Sequence, residues 1–221
     1  MVRAFHFACL LVLITAFAHS QAKPDSATVG FTLDFPGSRP AYYSIRVERS
    51  GTAHYESSGN TSSESGQEDD FTYDFTVSEA TRRKIFDLAT KTDYFQKDVD
   101  SHRKNMAFTG KKTLSYKDGQ RTGEAAYNYS QDLAVQELTT VFQSLSSTLE
   151  YGHRLEFDRR YQKLALAEEL KHMEETARIT PLLEVQAIAP ILQQIINDPG
   201  VINVSRARAQ RLLGAPQDRG Q

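Results

Sequence analysis

The chain has 221 residues and carries 26 basic against 28 acidic residues, so its formal net charge is −2. This balance gives no electrostatic reason to bind nucleic acid or an anionic membrane, and we predict neither as a partner. Cys9 is the only cysteine and lies in a segment that we predict to be removed, so the mature chain has no disulfide, thiolate metal site or cysteine nucleophile.

The first 22 residues have the three-part pattern of a secretory signal. Arg3 supplies a positive start, an apolar stretch follows over about residues 7–18, and the sequences AHS and SQA, which end at residues 20 and 22, offer cleavage sites. The stretch is shorter than the about 20 residues that span a bilayer comfortably, although an uncleaved anchor is the alternative. We predict a signal peptide over 1–22 and a mature chain exported to the periplasm or outside the cell, without a transmembrane segment.

Residues 23–150 are predicted to form an α+β domain, in which helices pack on an antiparallel sheet. Apolar and polar residues alternate in several segments, which is the periodicity of half-buried strands; the clearest segments are 29–35, 43–48, 52–56 and 71–77. The intervening segment 57–70 is polar and rich in Gly and Ser, so it predicts a mobile surface loop.

Two local signals place a helix and a hairpin in this domain. Ser78 is a helix-capping residue type and Glu79 follows in the first turn, where the helix dipole favours an anion. Asp118-Gly119 lies between two strand-like segments, a combination that indicates a hairpin with a type I′ turn because that turn requires positive φ angles.

The apolar period changes to that of a helix from Gln131 onward, and the new stripe predicts a second helix that covers the sheet beside the first one. Its members are Ala134, Leu138, Val141, Phe142, Leu145 and Leu149. Residues 151–214 are predicted to form a helical C-terminal extension. Thr180-Pro181 indicates a helix start, and Pro190 indicates a kink or a break in the helix. Residues 215–221 are predicted to be a disordered tail.

A helix predicted from about Gly152 to Ala177 is apolar on two nearly opposite sides, so two different surfaces should cover it. One side carries Phe157, Tyr161 and Leu164, and the other Leu166, Leu170 and Met173. We predict the second stripe to bind a protein partner or a second copy, because methionine adapts to irregular partners and charged residues border it. The alternative is that both stripes belong to the core.

Short segments in both halves carry a resemblance. They are YSIRV at 43–47, SGT at 50–52, DYF at 93–95, LEYG at 149–152 and IAP at 188–190. With this pattern the chain resembles a group of exported bacterial proteins of unknown function, over most of its mature length. The shared segments consist of turn and core residues, so the resemblance implies no activity and no catalytic residues.

Asp98, Asp100 and His102 form the most metal-like cluster, because alternating residues of an extended segment point to one side. Oxygen-rich sets suit calcium and Asp/His sets suit zinc. A calcium loop needs more oxygens, zinc needs a fourth group, and Arg103 and Lys104 oppose cation binding. We therefore favour a solvated loop over a metal site and assign no cofactor.

The sequence contains no recognised catalytic motif, so catalytic residues stay unknown and an enzyme is the less favoured hypothesis. We expect an exported, non-enzymatic protein that binds another protein through its helical extension or supports a cell-envelope assembly. The alternatives are an envelope hydrolase or metal-dependent enzyme with an unrecognised site, or small-ligand binding in a sheet–helix cleft. Convergent polar groups in a pocket favour a ligand or a reaction, whereas a flat apolar patch favours a partner.

Overall fold

The computed structural model of the protein describes residues 27–59 and 70–214. The predicted signal peptide (1–22), residues 60–69 of the predicted loop and the predicted tail (215–221) lie outside the described residues. The chain does not enter that loop at residue 57, as the polar sequence suggested, because the preceding strand continues to Ser58.

The described residues form a sheet of six antiparallel strands in the order β4-β3-β2-β1-β5-β6. They are β1 (Thr28–Asp34), β2 (Tyr42–Glu48), β3 (Thr52–Ser58), β4 (Phe71–Thr76), β5 (Lys111–Lys117) and β6 (Thr122–Tyr127). The predicted alternation is confirmed in the central strands: Val29, Phe31 and Leu33 of β1 are buried, and their neighbours are more exposed. With the helices described below, this is the predicted α+β fold.

The β5–β6 hairpin is confirmed, but the predicted type I′ turn is wrong. The described glycines with positive φ are Gly51, Gly59 and Gly110, and Gly119 is not among them. The turn is closed instead by Asp118, whose carboxylate accepts the backbone N–H groups of Gln120 and Arg121 at 2.7 and 2.6 Å. The hydrogen bond from Gln120 is the main cause that lowers the pKa of Asp118 to about 2. An aspartate side chain can hold a turn in this way without left-handed backbone.

Two helices, α1 (Glu79–Lys91) and α2 (Leu133–Tyr161), pack side by side on the buried face of the sheet. The predicted cap of α1 is confirmed, because Ser78 Oγ accepts a hydrogen bond from Thr81 N at 3.2 Å. On α2, Phe142 stacks on Phe31 of β1 with ring centroids 5.2 Å apart. The predicted apolar stripe of α2 therefore faces the sheet.

Helix α2 is continuous through Gly152, so the predicted start of a new helix at that residue is wrong. A Cβ atom at Gly152 would overlap the Ile188 side chain, and the glycine therefore permits a close approach rather than ending the helix. The chain breaks at 162–165 instead, between α2 and α3 (Leu166–Ile179). The predicted boundary at 150/151 lies inside α2, and one hydrophobic core extends from the sheet into the C-terminal helices.

The predicted helix start at Thr180-Pro181 is also wrong, because Thr180 ends α3 by donating its N–H to Thr176 O at 2.8 Å. A short 3-10 turn (Val185–Ile188) follows, and α4 (Ala189–Asn197) begins with Pro190 in its first turn. Proline is tolerated there because the first N–H groups of a helix have no partner within it. The last helix, α5 (Asn203–Gly214), packs on α3 and α4.

Candidate functional site

The stripe that we predicted to bind a partner is not at the surface. Leu166, Leu170 and Met173 are each 0% exposed, and their helix α3 packs against α2 and α5 of the same chain. The prediction of an accessible stripe is therefore wrong at these residues. These residues are buried because the chain breaks before Leu166 and the new helix, α3, then packs against α5. The sequence pattern of α3 alone could not reveal this contact.

The opposite stripe is the exposed one. Phe157, Tyr161 and Leu164 are 41%, 66% and 84% exposed, at the end of α2 and in the turn that follows it. Phe157 and Tyr161 pack on each other with centroids 5.1 Å apart. These three residues, the α2-end patch, form an exposed apolar surface on the described part of the chain.

Asp98, Asp100 and His102 do come together, but as a hydrogen-bonded loop. His102 Nε2 lies 2.6 Å from Asp98 Oδ2, and the backbone N–H of His102 donates to Asp100 Oδ1 at 2.6 Å. The other oxygen of Asp100 accepts the N–H of Asn128 at 2.6 Å, and the other oxygen of Asp98 accepts the N–H of Asp100. All four carboxylate oxygens are thus engaged, and the hydrogen bond with Asp98 raises the pKa of His102.

The loop therefore ties the segment after α1 to the end of β6. Among the described residues, no group of three or more His, Cys, Asp and Glu side chains is arranged to hold a metal ion. A cleft of about 480 Å³ lies beside Asp98 and Asp100, with Lys91 and Lys97 also in its wall. Its mixture of both charges does not single out one class of ligand.

A buried carboxylate lies between α2 and the sheet: Glu150 of α2 faces the sheet and is only 3% exposed. Its Oε1 accepts hydrogen bonds from Tyr55 and Ser57 of β3, both at 2.7 Å. Ser146, one helical turn before Glu150, lies 3.1 Å from the Tyr55 hydroxyl. Inward-facing residues of β3 and one edge of α2 thus form a buried polar network.

The network leaves one oxygen unsatisfied. Glu150 Oε2 is buried and has no hydrogen-bond partner within residues 27–59 and 70–214. A buried carboxylate oxygen that has lost its water and gained no donor is energetically unfavourable, and such orphaned groups are uncommon in folded proteins. Burial is the main cause that raises the pKa of Tyr55, and the charge of Glu150 adds to it.

Glu150 lines an open cleft of about 420 Å³ between the sheet and α2, which we call the Glu150 cleft. Its walls come from β1, β2, the connection between them, α2 and α3; they include Leu33, Arg39, Tyr43, Ser146, Arg154 and Thr176. A volume of this size lies within the range of small-molecule sites, which combine an apolar wall with a few convergent polar groups.

Arg39 is held at the rim by the ordered β1–β2 connection. Phe35 N donates to Ala41 O at 2.8 Å, and Ser38 Oγ donates to Pro40 O at 2.7 Å, so the turn is closed on both sides of Arg39. Its guanidinium forms no ion pair or hydrogen bond with the described residues. The rim therefore presents a positive charge that no described residue pairs with.

An ion pair and a hydrogen bond connect the opposite wall to α3. Arg154 Nε pairs with Glu169 Oε1 of α3 at 2.6 Å, and its guanidinium lies 4.6 Å from the centre of the Tyr151 ring. The Tyr151 hydroxyl lies 2.7 Å from Thr176 Oγ1. Half-buried Asp158 lies near the Arg154–Glu169 pair. Burial is the main cause that raises the pKa of Asp158 to about 6, and the charge of Glu169 adds to it.

Sequence reasoning did not single out Glu150, although a signal for it exists. Ser146 and Glu150 are one helical turn apart at the edge of the apolar stripe that faces the sheet. A glutamate in that position must be buried or reach the edge of the sheet. Its partners Tyr55 and Ser57 are more than 90 residues away in sequence, so only the fold identifies them.

The sequence matches no protein-family model and no curated protein at a significant level. Among the described residues, none of the helices combines the length and the apolar character needed to cross a membrane. The resemblance to exported bacterial proteins stays a hypothesis.

Proposed function

We propose that the mature protein is an exported, non-enzymatic binding protein that holds a small polar ligand in the Glu150 cleft. The observation that supports this most strongly is Glu150 Oε2, which is buried without a hydrogen-bond donor in a side chain that lines the cleft. A ligand that donates a hydrogen bond to this oxygen would supply the interaction that the chain itself does not. Export is inferred from the signal-like residues 1–22.

The groups around Glu150 suit binding better than proton transfer. Burial raises the pKa values of Tyr43 and Tyr55 well above the ordinary value of a tyrosine. Both phenols therefore stay protonated near neutral pH, and that of Tyr55 donates a hydrogen bond to Glu150, whereas a general acid or base needs a pKa near the working pH. The walls on both sides of the cleft are held by hydrogen bonds, which reduces the ordering that ligand binding requires.

Recovery of a bound molecule tests the proposal. Mature protein purified gently from its native host and then denatured should release a small molecule that mass spectrometry detects, and Glu150→Gln should release far less. Glu156→Gln is the matched control, because Glu156 lies on the same helix but is exposed; it should release as much as the wild type. Equal recovery from all three proteins, or from none of them, would contradict the proposal.

A second candidate function is binding of a protein partner, a second copy or a component of an envelope assembly through the α2-end patch. It is favoured by the exposure of Phe157, Tyr161 and Leu164, since clustered exposed apolar side chains mark interaction surfaces. The variants Tyr161→Asp and Leu164→Asp test this second candidate function, with light scattering and with crosslinking in the envelope fraction. Both variants should fold normally but lose the partner, and unchanged crosslinking would exclude this surface.

A further inference from the structure

The proposed function leaves the ligand class open, and the charges of the Glu150 cleft restrict it. We infer that the ligand is a small zwitterion, with a protonated amine directed to Glu150 and an anionic group directed to Arg39. This inference rests on the proposed function, because it concerns the same cleft. It follows from the inner carboxylate, the outer guanidinium and the other charges that line the walls.

The Glu150 carboxylate is better matched by a cation than by a neutral hydrogen-bond donor. Tyr55 and Ser57 already give Glu150 Oε1 two neutral hydrogen bonds, while Oε2 receives none. A buried charge without a counter-charge is strongly unfavourable, and a further hydroxyl would leave it uncompensated. An ammonium group supplies a hydrogen bond and the opposite charge together, and charge-assisted hydrogen bonds are about twice as strong as neutral ones.

The arginines of the cleft disfavour a ligand that carries an amine and no anionic group. Arg39 and Arg154 both line the cleft, so a ligand that carries only positive charge would be repelled on the way to Glu150. Arg154 is already paired with Glu169 at 2.6 Å, whereas Arg39 has no such partner among the described residues. A carboxylate on the ligand would pair with Arg39, because a guanidinium matches that planar group with two parallel hydrogen bonds.

A probe series separates the two contacts. The probes are linear amino acids from glycine to 6-aminohexanoate, each compared with the acid that lacks the amine, the amine that lacks the acid, and the hydroxy acid of equal length. Calorimetric titration into mature protein should show at least one amino acid binding about ten- to a hundredfold more tightly than its three analogues, the factor expected for losing one charged hydrogen bond.

Two variants assign each end of the probe. Glu150→Gln should lower the affinity for the best amino acid to that of the plain acid, and Arg39→Gln should lower it to that of the plain amine. Arg39 is an exposed loop residue, so Arg39→Gln keeps the test valid if Glu150→Gln does not fold. Arg103→Gln, an exposed arginine outside the cleft, is the control and should bind like the wild type.

The outcomes distinguish the ligand class from the proposed function. Hydroxy acids that bind as tightly as amino acids, or variants that affect both ends equally, would overturn the zwitterion and leave the cleft as a binding site. Failure of every probe would also overturn it, and the proposed function would then stand only if the native host protein still releases a small molecule that Glu150→Gln lacks. If that release is absent too, both inferences fail.

Discussion

Truncating two leucines that are six residues apart tests the observed position of the helix break. Leu170 on α3 is 0% exposed, and Leu164 in the preceding turn is 84% exposed. Leu170→Ala and Leu164→Ala remove the same atoms, so any difference in their effect comes from the surroundings. If the break were absent, both residues would lie on one helix, and the sequence pattern alone would not determine which of the two is buried.

The expected difference is large. Truncating a fully buried leucine lowers the free energy of unfolding by about 2–5 kcal/mol, because transfer energy is lost and a cavity remains. An exposed leucine away from special contacts changes it by less than about 0.5 kcal/mol. For a chain of this size about 1 kcal/mol corresponds to about 2–4 °C in Tm, so Leu170→Ala should melt at least about 4 °C below the wild type.

Urea denaturation followed by circular dichroism measures both variants directly, and calorimetry gives their Tm values. The slope of the unfolding free energy against urea should stay unchanged, since both variants keep the same fold. Equal stability of the two variants, or a larger loss for Leu164→Ala, would refute the observed packing of α3 beneath α5.

Three further predictions concern other parts of the chain. The pKa of Asp158 is raised from 3.8 to about 6, so protonation of Asp158 favours the folded state, and this stability is lost as pH rises through about 6. Asp158→Asn should therefore raise Tm at pH 7.5 and flatten the profile of Tm against pH between pH 4 and 7.5. An unchanged profile would contradict this. Excess chelator should leave Tm unchanged, because the oxygens of Asp98 and Asp100 are engaged in hydrogen bonds; a drop that His102→Ala abolishes would indicate a metal site. Gly152→Ala should destabilise the fold by about 1–3 kcal/mol through overpacking against Ile188, although alanine is the better helix former. A gain of stability in urea denaturation would show that the two segments can separate.

The sequence predicted best those features that depend on neighbouring residues. The alternation in β1, the cap at Ser78 and the β5–β6 hairpin are all decided within a few positions, and each is confirmed. The type of the hairpin turn was missed because Asp118 and Gly119 favour different solutions. The glycine permits left-handed backbone, but the aspartate stabilises the observed turn through its side chain.

The sequence was misleading where a residue's role depends on a distant segment. Gly152 resembled a helix boundary because its partner Ile188 lies 36 positions further along the chain. The same difficulty affected Leu166, Leu170 and Met173, whose apolar face is as suitable for α5 of the same chain as for another protein. Periodicity shows that a face must be covered, but it does not show by what.

Helix α2 joins the two predicted halves, because it is continuous across residue 150 and contacts both the sheet and α3. Its middle faces the sheet through Glu150, which accepts hydrogen bonds from β3, and its next turn contacts α3 through Tyr151 and Arg154. A boundary at 150/151 would therefore divide the Glu150 cleft between its inner carboxylate and one of its walls. Because the cleft has the sheet on one side and α3 on the other, the helical extension contributes a wall to the proposed ligand site.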